Sequence, residues 1–151
     1  MPRKLGSGFH LRRFRPSMEA VGIVIDFVSR VPPFDGYPAG RLITAVKYQI
    51  VNGCHVAGFD GETLIGYCGW LRITKAEGDE WLQGTGELRP VHPSESDAVA
   101  LHIVRIEDEA AVLPLIRACR TLEAKKRVFF KRDYVAGAHT EKRISVMNVD
   151  F

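Results

Sequence analysis

A chain of 151 residues and 16.9 kDa carries one core comfortably and two ordinary domains with difficulty. With 46% hydrophobic and 26% charged residues and a mean hydropathy of -0.06, it reads as globular rather than disordered or rod-like. Apolar stretches such as Val21 to Ile25 are broken by charge far short of the roughly 20 residues of a membrane span.

Charge is uneven along the chain. Residues 1 to 15 hold Arg3, Lys4, Arg12, Arg13 and Arg15 and no acid, which leaves 16 basic against 18 acidic residues in the rest. We therefore read residues 1–15 as a basic N-terminal arm and 16–151 as a single domain. Such an arm suits nucleic acid, an anionic membrane surface or an acidic protein, and its plainest reading is a solvated tail. The segment after the first basic residues, Leu5 to Phe9, is too short and polar for a signal-peptide core. Cys54, Cys68 and Cys119 are odd in number and lack metal-ligand spacing, so they read as reduced thiols of a cytoplasmic protein.

After the arm, Ser17 is a candidate N-cap for a helix over Met18 to Ser29, with Val21, Ile25 and Val28 on one face. Val31 to Pro38 holds three prolines and Gly36 and is expected to be an irregular loop. A second helix is expected from Ala39 to Val51, ended by Asn52-Gly53. Strands over Cys54 to Phe59 and Thr63 to Ile73 flank Asp60-Gly61, a hairpin signal. A short helix from Glu77 to Leu82 leads into a polar stretch from Gly84 to Ser96, then a strand from Ala98 to Arg105. Asp108 to Leu122 reads as an amphipathic helix, and strands over Arg127 to Tyr134 and Lys142 to Met147 surround a turn near Gly137. This order predicts an α+β domain with a mostly antiparallel sheet covered by helices.

The motifs for common chemistries are thin. Gly84 and Gly86 lack the lysine of a phosphate-binding loop and the third glycine of a dinucleotide fingerprint, so they read as a turn. His10, His55, His92, His102 and His139 show no zinc spacing, and no metal is expected. No Gly-x-Ser-x-Gly elbow is present. Basic residues flank Val128-Phe129-Phe130, but the strand lacks the glycines of RNA-binding sheets and its aromatics read as core.

From Ala20 to Trp70 the chain resembles, without a gap, the toxin-activating lysine acyltransferases, bacterial proteins that fatty-acylate internal lysines of RTX protoxins. The anchors are Val21-Gly22, Pro32, Tyr37-Pro38, Leu42, Ala45 and above all Gly66-Tyr67-Cys68-Gly69-Trp70, where the family has Ala-Tyr-Cys-Ser-Trp. Further on, Asp79-Glu80-Trp81 resembles the family's acidic-Trp segment and Arg117 to Arg120 occupies its basic helix, beyond a register break between Gln83 and Ala98.

The resemblance implies a GNAT-like acyltransferase fold, an acyl group taken from acyl carrier protein, a protein lysine as acceptor and a homodimer. No tightly bound cofactor is implied beyond the acyl donor, acyl carrier protein or acyl-coenzyme A. The family's essential His falls on Phe34 and its catalytic Asp near Leu101, neither of which takes a proton. The neighbouring Asp35 and His102 are the candidate replacements. Tyr67 and Trp70, with Phe34 and Leu101, are the candidate acyl-binding residues, and Arg117 and Arg120 the candidate donor contacts. The alternative is a non-catalytic module on the same fold that binds an acyl chain or a protein, because Phe34 and Leu101 make the inherited cleft apolar. Nucleic-acid binding is a third reading, resting on the arm and the Phe129 strand.

Overall fold

The computed structural model describes residues 5–136 and 139–151, and side chains outside 132–143. In chain order the elements are β1 (Phe9–Arg12), α1 (Met18–Val28), α2 (Ala39–Val51), β2 (His55–Asp60), β3 (Thr63–Ile73), α3 (Lys75–Gln83), β4 (Ala98–Ile106), α4 (Val112–Leu122), β5 (Arg127–Ala136) and β6 (His139–Met147). They form an α+β fold with a six-stranded sheet in the order β1-β2-β3-β4-β5-β6. The pairs β1/β2, β2/β3 and β5/β6 are antiparallel, and β4/β5 is parallel. The turn expected near Gly137 and the charges of Arg3 and Lys4 lie outside the described residues.

The chain divides into two compact units, Met1–Trp70 with Ile103–Thr121, and Leu71–His102 with Leu122–Phe151. In the first, α1 starts where the Ser17 hydroxyl accepts the Ala20 N–H at 3.0 Å, satisfying a donor that the helix leaves open. One face of α1 buries Ala20, Val21, Val24, Phe27 and Val28 against Leu42, Val46 and Ile50 of α2. The loop between them carries a 3-10 turn over Phe34–Gly36 and a cis peptide bond between Pro32 and Pro33. Arg105 of β4 lays its guanidinium 4.3 Å from the Phe27 ring centroid and donates to the Phe27 carbonyl.

The N-terminal arm departs from the solvated tail expected of it. Phe9–Arg12 pairs with β2 in register, Phe9 opposite Asp60 and Arg12 opposite Ala57. Side chains two apart on a strand share a face, so His10 and Arg12 both reach the buried Phe59 ring. His10 stacks on that ring at 5.6 Å and the Arg12 guanidinium sits 4.1 Å from its centroid. Phe14 meets it edge-on at 5.8 Å. Cation–π and stacking contacts thus hold a segment whose five basic residues suggest a free tail.

In the second unit, Thr74 caps α3 by accepting the Glu77 N–H at 3.2 Å, and Gly84, with φ 76°, closes it in the left-handed conformation that glycine takes without strain. The Gly84-Gly86 pair is therefore the end of a helix. Gly78 lies under the Phe129 ring so closely that a Cβ there would come within 2.3 Å of it. Ala98–Leu101 pairs in parallel with Arg127–Phe130. Its unbroken apolar run, fully buried, is the pattern of a strand covered on both faces. The buried carboxylate of Glu123 is held by Arg72 at 3.3 Å and Lys126 at 3.8 Å.

Candidate functional site

The loop between α1 and α2 sets two neighbouring residues apart. Phe34 is 6% exposed and belongs to the core of the helix pair, with its ring edge-on to Tyr37 at 5.4 Å. Asp35, one residue on, is exposed. The 3-10 turn separates them, since its Tyr37 N–H returns to the Phe34 carbonyl and successive side chains diverge. Phe34 is thus a plug in the interior, and the carboxylate beside it faces water.

The segment Gly66–Trp70 in the middle of β3 is wholly buried. The Tyr67 hydroxyl donates to Gln49 Oε1 at 2.7 Å, and burial pushes its pKa well above the ordinary tyrosine range. Burial likewise raises the Cys68 thiol to about 12, so it is no nucleophile at neutral pH. Gly69 leaves room for this pair, because a Cβ would lie 2.0 Å from Gln49 Oε1 and 2.8 Å from the Tyr67 ring and would force the Gln49 side chain to move. Trp70 is also fully buried, and its backbone N–H donates to the Cys54 carbonyl at 3.0 Å. Tyr67 and Trp70 therefore form packed interior.

His55 was one of five histidines without a motif, yet it is the best-organised polar side chain of the first unit. It is fully buried and stacked between Phe14 and Tyr67, each ring 6.0 Å away. Its Nδ1 lies 3.1 Å from the Gln49 carbonyl and its Nε2 accepts the Phe14 N–H at 2.8 Å. A backbone carbonyl only accepts and a backbone N–H only donates, which fixes the tautomer with the proton on Nδ1. Desolvation lowers its pKa to about 4, with the nearby Arg13 charge adding to the effect. The imidazole is neutral with both nitrogens used, so it holds structure and is no base.

In the second unit, Leu101 is 1% exposed and His102, next on β4, is half-buried. Alternation along the strand points them to opposite faces. Val128 and Phe129 are fully buried, and Lys131 donates to the Trp81 carbonyl at 3.0 Å with its ammonium 5.0 Å from the Trp81 ring centroid. Phe129 is core and Phe130 is half-buried.

Back in the first unit, Arg117 and Arg120 lie on the exposed side of α4 together with Leu113. The turn that leads from β4 into α4 carries Glu107, Asp108 and Glu109 and no glycine. Asp108 spends its carboxylate on the Ala110 N–H at 3.0 Å. A helix approach that binds polyphosphate needs bare N–H groups and free access, whereas here Asp108 occupies one N–H and Glu109 adds an exposed negative charge, Glu107 being paired with Arg105 at 3.1 Å. Among the described residues no group of three or more His, Cys, Asp or Glu could hold a metal ion. No helix among them is long and apolar enough to cross a membrane.

The fold is GNAT-like. A crystal structure of a GNAT-family acetyltransferase from Streptococcus agalactiae superposes with a TM-score of 0.51 at 13% identity, covering 85% of this chain and 78% of that one. No protein-family model matches the sequence, and no curated protein matches it.

Proposed function

We propose that this protein is an acyl-transfer protein of the toxin-activating lysine acyltransferase type, taking its acyl group from acyl carrier protein and passing it to a protein lysine with altered catalysis. The observation that carries the donor assignment is the contrast along α4. Asp108 and Glu109 stand in the turn that leads into it, with Glu107 paired to Arg105 at 3.1 Å, and the exposed Arg117 and Arg120 follow along the helix itself. A nucleotide donor such as acyl-coenzyme A brings phosphates that the carboxylates oppose. An acidic carrier protein brings carboxylates that the two arginines attract.

In the reaction the lysine nitrogen attacks the thioester carbonyl, a C–N bond forms, the C–S bond breaks, and the carrier's thiol leaves with the proton. The amine must first lose a proton to a base, which typically contributes about 10²–10⁴-fold. Asp35 or His102 is the proposed base, Asp35 as the exposed carboxylate beside Phe34 and His102 as the neighbour of Leu101 on β4. The rest of the rate comes from positioning of the two substrates. Intact-mass analysis of a lysine peptide incubated with acylated carrier and the protein tests the proposal. Transfer that falls by about 10²-fold or more in Asp35→Ala or in His102→Ala identifies the base, and full activity in both variants rejects the assignment.

A second reading has its own observation. Phe34 and Leu101, at the two inherited acid–base positions, are both buried apolar side chains, which supports a non-catalytic module that binds an acyl chain or a protein. Carrier-dependent thermal stabilisation without any acyl transfer favours this reading.

A further inference from the structure

We propose that the outer edge of β1 binds an acidic, extended peptide segment of a partner protein as an added strand. The inference is independent of acyl transfer and rests on the direction of backbone groups. One step beyond the β1/β2 register puts Gly8 opposite Gly61, and the Gly61 N–H donates to the Gly8 carbonyl at 3.0 Å. In an antiparallel ladder the residues that bond inward alternate with those that face outward. Gly8, His10 and Arg12 therefore bond toward β2. Phe14 keeps the same sense, for its N–H also points inward and reaches the imidazole of His55, which stands opposite it in the continued register.

Leu11 and Arg13 are left with N–H and C=O groups directed away from β2. β1 is the first strand of the sheet order, so among the described residues no strand covers that side. The row is preorganised, since His10 and Arg12 are fixed on the Phe59 ring and Phe14 on His55. An incoming strand thus meets an edge that has little conformational freedom left to lose.

Charge selects the occupant. Arg12, Arg13 and Arg15 are all exposed, and the first acidic residue of the chain is Glu19. A strand rich in Asp or Glu complements this edge, and a basic one is repelled. Single-stranded nucleic acid fits less well because it needs open aromatic faces for stacking. The rings beside these arginines are already engaged, Phe59 by His10, Arg12 and Phe14, and Phe14 by His55.

The test uses the full chain and a short fluorescein-labelled peptide of alternating glutamate and threonine, read by fluorescence anisotropy. A lysine–threonine peptide and a single-stranded RNA of similar length serve as competitors. Leu11→Pro deletes an outward N–H and leaves the inward ladder whole, a substitution that edge strands tolerate. The variant is expected to keep its melting temperature within a few degrees and to bind the acidic peptide about tenfold more weakly, the loss of roughly one hydrogen bond. If it fails to fold, Arg13→Glu with Arg15→Glu decides the matter, with an expected loss of binding to the acidic peptide and gain for the basic one. Unchanged affinity in these variants, no binding of the acidic peptide by the native chain, or stronger binding of RNA than of the peptide overturns the proposal.

Discussion

The first unit carries two basic surfaces that differ in kind. Along α4, Arg117 and Arg120 stand on a helix whose backbone is consumed by its own hydrogen bonds, so only side-chain charge is on offer. At β1, Arg12, Arg13 and Arg15 accompany a strand with half of its backbone facing outward. Equal charge therefore means different recognition. The helix face selects a partner by its field, whereas the strand edge also demands an extended backbone.

The most forceful way to break the strand edge alone is acid. His55 has a folded-state pKa of about 4 against an ordinary 6.5, so the unfolded chain binds the extra proton first. Its contribution to stability is whole above pH 6.5 and falls as pH drops toward 4, by roughly 3 kcal/mol in all. The protection factors of the amides of residues 9–14, taken against the intrinsic exchange rate at each pH, should fall across that window, while those of α4 hold. His55→Phe should remove the pH dependence of this segment and expose it at neutral pH. Equal acid sensitivity in that variant would show that His55 is not the anchor.

Gly69→Ala strikes the ground beneath the same edge, since the new Cβ collides with Gln49, whose carbonyl orients His55. Overpacking of this kind costs about 1–3 kcal/mol, measurable as a lower denaturation midpoint. An unchanged midpoint would mean that Gln49 has room to move.

Much of the fold is legible in the sequence, and the illegible parts have physical causes. Ser17 announces the start of α1, and Asp60-Gly61 turns the β2/β3 hairpin. The strand over Phe9–Arg12 was missed because arginine is not a strand signal. What stabilises it is Phe59, some fifty residues away, and only the alternation of Phe9 and Leu11 after Gly6-Ser7-Gly8 hinted at it. The candidate site was legible only in part. The resemblance singles out Gly66–Trp70, yet sequence cannot tell that Tyr67 spends its hydroxyl on Gln49 inside the core. His55 carried no motif, because its partners are backbone groups of Phe14 and Gln49.

A smaller effect sharpens the helix side of the comparison. Arg117→Glu with Arg120→Glu should cost about 1 kcal/mol of stability or less, because Arg120 is the cation in the last turn of α4. It should weaken carrier binding about tenfold in calorimetry, a difference that shrinks as salt is raised. The smallest effect concerns salt itself. Binding at β1 should retain more of its affinity at high ionic strength than binding at α4, because backbone hydrogen bonds are not screened as surface charges are. Identical salt slopes at the two surfaces would mean that the strand edge, too, works by charge alone.

The most direct measurement is intact-mass analysis, paired with thermal shift, of the native chain mixed with acylated carrier protein, free carrier or acyl-coenzyme A. The account predicts stabilisation by acylated carrier above that by free carrier or by acyl-coenzyme A, with an acyl mass appearing on a lysine peptide. Neither a shift nor a transferred acyl group with any donor would contradict it.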